Sequence, residues 1–106
     1  MNDNEVKKNF GKKVKDLRER NHLSQEELSV QLEITQRQVS MIERGLSFPT
    51  LKTLNKIASV FNCQIQDLFD YNYLQSEKIL KTNLNKMINE FCYEKLKTLY
   101  LIAKNL

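Results

Sequence analysis

The chain has 106 residues, 41% of them hydrophobic and 28% charged, which suits one soluble globular core and excludes a disordered tail. No apolar run approaches the roughly 20 residues of a membrane span, and Met1-Asn2-Asp3-Asn4-Glu5 has no signal-peptide character, so a cytoplasmic protein without a membrane partner is expected. The net charge of +4 permits nucleic-acid binding without establishing it, since residues 1–73 carry 11 Lys/Arg against 10 Asp/Glu and residues 74–106 carry 6 against 3.

Glycine occurs only at 11 and 45 and proline only at 49, while apolar residues recur at helical spacing almost throughout. The chain reads as all-α. A first helix is predicted from about residue 5 to 20, with Val6, Phe10, Val14 and Leu17 on one face. Lys7, Lys8, Lys12, Lys13 and Lys15 lie on its other side, a solvated face unless the fold turns it toward phosphate.

The next two helices open with the same device. Ser24 stands three residues before Glu27, a capping box, with Leu23 and Leu28 as its hydrophobic staple. Thr35 and Gln38 repeat the box, and Ile34 and Val39 repeat the staple. Two helix starts 11 residues apart leave room for a helix of about eight residues and a tight turn. Gly45 then ends the second of the two in the left-handed conformation. Short helix, tight turn, short helix is the helix-turn-helix arrangement.

A fourth helix follows the Phe48-Pro49-Thr50 break, with Thr50 as N-cap and Leu51, Leu54, Ile57, Ala58 and Phe61 as its core stripe. A short fifth helix around Gln66 to Asp70 is expected to bury Leu68 and Phe69, and Asp70-Tyr71-Asn72-Tyr73 reads as the exit from the domain. Beyond it, apolar residues fall at 80, 84, 87 and 91, then at 96, 99, 103 and 106. The five-residue step from Phe91 to Leu96 breaks the phase. Two helices with a turn near Phe91-Cys92-Tyr93 explain it, and one long helix with a stutter is the alternative. The expected architecture is a five-helix domain over residues 1–72 and a helical hairpin over 73–106.

Catalytic chemistry finds little support. Cys63 and Cys92 form no CxxC pair and read as small buried apolar residues of a reducing compartment. His22, the one histidine, lies in an inter-helix turn, where a solvated polar residue is expected. There is no glycine-rich phosphate loop, no cluster of metal ligands and no nucleophile–base pair, so no enzyme, cofactor or metal is expected.

From Phe10 to Phe69 the chain resembles the Xre/Cro-type helix-turn-helix family of bacterial and phage repressors. The residues that carry the resemblance are Gly11-Lys12-Lys13-Val14, Leu17-Arg18, Leu23-Ser24-Gln25-Glu26-Glu27-Leu28 and Ile34-Thr35. It continues through Val39-Ser40, Ile42-Glu43-Arg44-Gly45, Pro49, Leu54, Ile57-Ala58 and Leu68-Phe69. The resemblance implies a double-stranded DNA partner, with the helix opened by Thr35 in the major groove. Gln36 would pair with adenine and Arg37 with guanine, while Ser40 and Met41, one turn on, would touch a backbone or a thymine methyl. Alternatively these are simply solvated helix residues. Gln25 matches the family's phosphate-clamping glutamine, at a helix N-terminus suited to phosphate. Gln38, Arg44, Ser47 and Lys52 are further expected phosphate contacts. Glu43 matches the glutamate that pairs with Arg18 of the first helix, a structural pair. Three positions depart from the family pattern: Glu33 replaces a glycine, Ser29 an alanine, and Gln64 a serine or aspartate cap, so the fifth helix is expected to fray.

Residues 74–106 carry more apolar positions than one stripe on a finished domain needs. Leu80, Leu84, Met87, Phe91, Leu96, Leu99, Tyr100 and Ala103 are the expected interface of a homodimer. The alternatives are that this segment packs back on the domain, or that it receives a protein partner, as in an antitoxin or antirepressor-type module. The leading expectation is a dimeric regulator, a repressor on a palindromic operator.

Overall fold

The computed structural model describes residues 2–74 and 77–106. All its described regular elements are helical: α1 (Asp3–Arg20), α2 (Gln25–Leu32), α3 (Gln36–Glu43), α4 (Leu51–Val60), α5 (Glu77–Asn89) and α6 (Tyr93–Lys104), with 3₁₀ turns at Ile65–Phe69 and Asn72–Leu74. The chain divides into two compact units, Met1–Leu74 and Gln75–Leu106.

In the first unit, side chains set each helix start. Asn2 Oδ1 accepts the Glu5 N–H at 2.9 Å, so α1 begins two residues earlier than its apolar stripe suggested. Both capping boxes close, at Ser24/Glu27 and Thr35/Gln38, and Thr50 Oγ1 accepts the Thr53 N–H at 3.2 Å. Helix ends share a different device. His22, Glu33 and Asn62 adopt φ of 57°, 58° and 53° without being glycine, and Gly45 adopts 73°. In each the chain reverses and the following N–H reaches back, as from Leu23 to the Arg18 carbonyl at 3.1 Å and from Ile34 to the Ser29 carbonyl at 3.1 Å.

Phe10, Leu28, Leu32, Val39, Ile57 and Leu68 form the centre of the core, each nearly inaccessible to water. A Cβ on Gly11 would stand 2.4 Å from the Ile42 carbonyl oxygen. The bare backbone there lets α1 cross directly against the C-terminal end of α3.

Two expectations are corrected. The fifth helix is a 3₁₀ turn, and it buries Leu68 but leaves Phe69 exposed by 37%. At three residues per turn, neighbouring side chains diverge by about 120°, so only one of the two faces the core. Phe69 instead lies against Phe10, ring centroids 5.4 Å apart. At the start of the turn Gln64 makes no side-chain cap bond, as its residue type suggested, and the Asp67 carboxylate accepts the Gln64 N–H at 2.9 Å. Lys13 is not part of a solvated face. It is buried, its ammonium 4.5 Å above the Tyr73 ring, because the exit of the unit folds over that side of α1.

The second unit is a helical hairpin. The chain turns between Asn89 and Tyr93, where Glu90 and Phe91 N–H groups donate to the Met87 and Ile88 carbonyls. No residue of α5 or α6 is buried.

Candidate nucleic-acid interface

The geometry of the site starts from Glu43, at the last turn of α3. Its carboxylate is almost wholly enclosed and takes a two-pronged grip from Arg18: Nε to Oε2 at 2.7 Å and Nη2 to Oε1 at 3.1 Å. Arg18 Nη1 also donates to the Leu23 carbonyl at 2.8 Å, and the bond to Glu43 raises the guanidinium pKa above its ordinary value. Gln25 completes the arrangement, its side-chain amide donating to Glu43 Oε1 at 3.0 Å. One carboxylate thus ties α1, the start of α2 and the end of α3 together. The Arg18–Glu43 pair follows the sequence expectation; the bond from Gln25 was missed, because nothing local links residues 18 positions apart.

At the other end of α3, Thr35 Oγ1 accepts the Gln38 N–H at 3.0 Å while Gln38 Oε1 accepts the Thr35 N–H at 2.8 Å. Gln38, expected as a phosphate contact, therefore spends its carbonyl oxygen on the cap. Gln36 and Arg37 occupy the first turn and are both exposed, whereas Ser40 and Met41 are half-buried one turn later. A groove lined by Gln38, Met41, Ser47, Pro49 and Thr53 separates α3 from the start of α4.

Around this helix stand the remaining candidates. Arg44 is exposed at the C-cap of α3, Ser47 is half-buried in the loop, and Lys52 is exposed in the first turn of α4. Gln25 is the first residue of α2, and the N–H of Glu27 two residues on is taken by the Ser24 hydroxyl at 3.0 Å. Bonding to Ser24 lowers the Glu27 pKa, so the box is charged at neutral pH. Glu33, in the left-handed turn before α3, pairs with Lys56 of α4. That pair, too, was invisible in the sequence, although the unusual residue at 33 was not.

An exposed first turn with polar side chains able to pair with bases, on a short helix braced at both ends, is geometry for a duplex groove. The helix-turn-helix family model matches residues 14–68, just over half of the chain and all the positions named above. The chain belongs to the helix-turn-helix family. It is a DNA-binding transcriptional regulator of the Xre/Cro-like type.

Helix-turn-helix relatives span two domains of life. The chain is 33% identical over 60 residues to an uncharacterised HTH-type transcriptional regulator of Archaeoglobus fulgidus, covering 57% of this chain and 84% of that one. It is 32% identical over 69 residues to the control protein C.BamHI of Bacillus amyloliquefaciens, covering 64% and 85%. Among solved structures, the apo form of the competence regulator ComR from Streptococcus vestibularis superposes with a TM-score of 0.57 at 31% identity, over 78% of this chain but only 28% of ComR. A chain of the SinR/SinI protein complex superposes with a TM-score of 0.56 over 90% of this chain and 94% of its own length. At 21% identity that likeness concerns the fold alone. Among the described residues, no helix is long and apolar enough to cross a membrane.

Proposed function

We propose that this regulator is a dimeric repressor that reads a palindromic operator, laying α3 in the major groove of each half-site. Gln36 and Arg37 meet the base edges, Arg37 in two-pronged fashion on a guanine; Ser40 and Met41 reach the next base or its methyl group. Gln25, Gln38, Arg44, Ser47 and Lys52 hold phosphates and fix the register. One observation carries the reading: Gln36 and Arg37 are both exposed on the first turn of a helix that the Thr35 cap and the Glu43 brace hold at its two ends.

Dimerisation rests on the second unit. A hairpin of about 30 residues is below the size at which a single core sustains itself, and this one buries no residue of α5 or α6. Leu84 is 45% exposed, Met87 51% and Tyr100 65%, while Leu80, Phe91 and Leu99 are half-buried. A second copy gives those side chains a partner and sets two recognition helices one helical turn of DNA apart. The same apolar face supports a second reading, a protein partner that competes with the second copy, since the SinR neighbour is seen in complex with SinI.

Gel shift against genomic fragments at several salt concentrations tests the regulator. It is expected to prefer one palindromic fragment, with affinity falling steeply as salt displaces phosphate contacts. Equal, weak retardation of every fragment would refute operator reading.

A further inference from the structure

Glu33 is out of place twice over. It holds a backbone conformation, φ 58°, that strains any residue with a Cβ, and it puts a carboxylate three positions before Gln36, the first residue of α3. Its side chain is largely open to water, yet it pairs with the Lys56 ammonium on α4. Lys56 lies one helical turn beyond Lys52, so the two lysines share a face of α4. Lys56 and, less strongly, Lys52 both draw the Glu33 carboxyl below its ordinary pKa, which places both cations in its field.

We propose that Glu33 sets the DNA affinity of this protein by holding Lys56 in an internal ion pair and so keeping it from phosphate. The proposal rests on the docking of α3 set out above. A duplex approaching α3 brings its backbone toward the start of α4, where Lys52 lies in the first turn and Lys56 one turn further along the same face. The Glu33 carboxylate competes with phosphate for the second of these and repels phosphate itself. Affinity is held down, and the protein retains a lower share of sequence-independent binding, which comes almost wholly from phosphate contacts.

Salt dependence separates this role from a structural one, since a merely structural residue alters folding without altering the number of ions released. A random-sequence duplex serves as the probe. Glu33→Gln keeps the shape and removes the charge; Glu33→Gly also relieves the backbone. Both are expected to steepen the plot of log affinity against log salt by about 0.9, one phosphate contact, which is a further loss of about 3.5-fold between 50 and 200 mM salt. Lys56→Gln alone is expected to leave the wild-type slope, and Glu33→Gln with Lys56→Gln to restore it. A wild-type slope in both single Glu33 variants, or a steeper slope that survives in the double variant, would overturn the proposal while leaving the docking of α3 intact. Wild-type affinity that is itself indifferent to salt would remove the docking and the proposal together.

Discussion

At the scale of single residues, the buried brace of α3 and its exposed first turn are sharply separated. Glu43 and Arg18 meet nearly out of contact with water, where a two-pronged charged bond is strong and the loss of either partner strands the other. Arg37 makes no such commitment: it is exposed, on the first turn of α3, and its guanidinium fork has the spacing of the guanine O6 and N7 acceptors. Arg37→Ala is therefore expected to cost about 1–3 kcal/mol of binding to the preferred fragment and to relax the choice of base at one position of each half-site. Competition gel shifts with fragments altered one base pair at a time measure both effects. A loss equal on every fragment would show Arg37 to be a phosphate contact. The place of Arg37 on the first turn of α3 was legible in the sequence because the Thr35 cap fixes where that helix begins. The bond from Gln25 to Glu43 and the pair of Glu33 with Lys56 were not, since each joins residues that only the packing of separate helices brings together.

Elements were readable where the chain states its own boundaries. Ser24, Thr35 and Thr50 each cap the helix that follows them, through bonds only three residues long. The exit of the first unit shows the opposite case. Tyr73 lies 57 residues from Asp16, yet its hydroxyl donates to that carboxylate at 2.8 Å and accepts from Arg20 at 3.4 Å, with Lys13 over the ring. No sequence pattern announces this fastening, and it accounts for the misplaced Lys13. Burial first, then the bond to Asp16, pushes the Tyr73 hydroxyl up to about 12. A raised folded-state value means that the stability it supplies is complete below pH 10, the ordinary value, and is lost as pH climbs toward 12. Burial also raises the Tyr71 hydroxyl, and spectrophotometric titration is expected to show that Tyr73→Phe removes the latest phenolate. The same substitution is expected to lower stability by about 1 kcal/mol at neutral pH and to flatten the alkaline limb of the stability curve. A latest phenolate that persists in the variant, with an ordinary one lost instead, would dismiss the fastening.

For the whole molecule, the question is what the two units owe each other in function. Every residue of the principal core, from Phe10 to Leu68, belongs to the first unit, so that unit holds what it needs to fold. The hairpin has the reverse character, with apolar side chains such as Leu84, Met87 and Tyr100 open to solvent and six lysines to keep it dissolved. Its apolar spacing was plain in the sequence; what it packs against was not, because a stripe that seeks a partner and a stripe that seeks its own domain look alike as text. If its role is to join two readers, then ending the chain after Leu74 is expected to leave a folded monomer that still docks α3 but has lost the second half-site. Linking two binding events raises affinity by about 100-fold or more without any new contact, so operator affinity is expected to fall by that factor. Affinity for half-site duplexes, where only one reader engages, is expected to stay within about two-fold, since the reading face is untouched. Sedimentation of the full chain and the shortened one gives the mass in each case. A full-length protein that sediments as a monomer at the concentrations where it binds its operator would remove the second copy from the hairpin and leave that face to another protein.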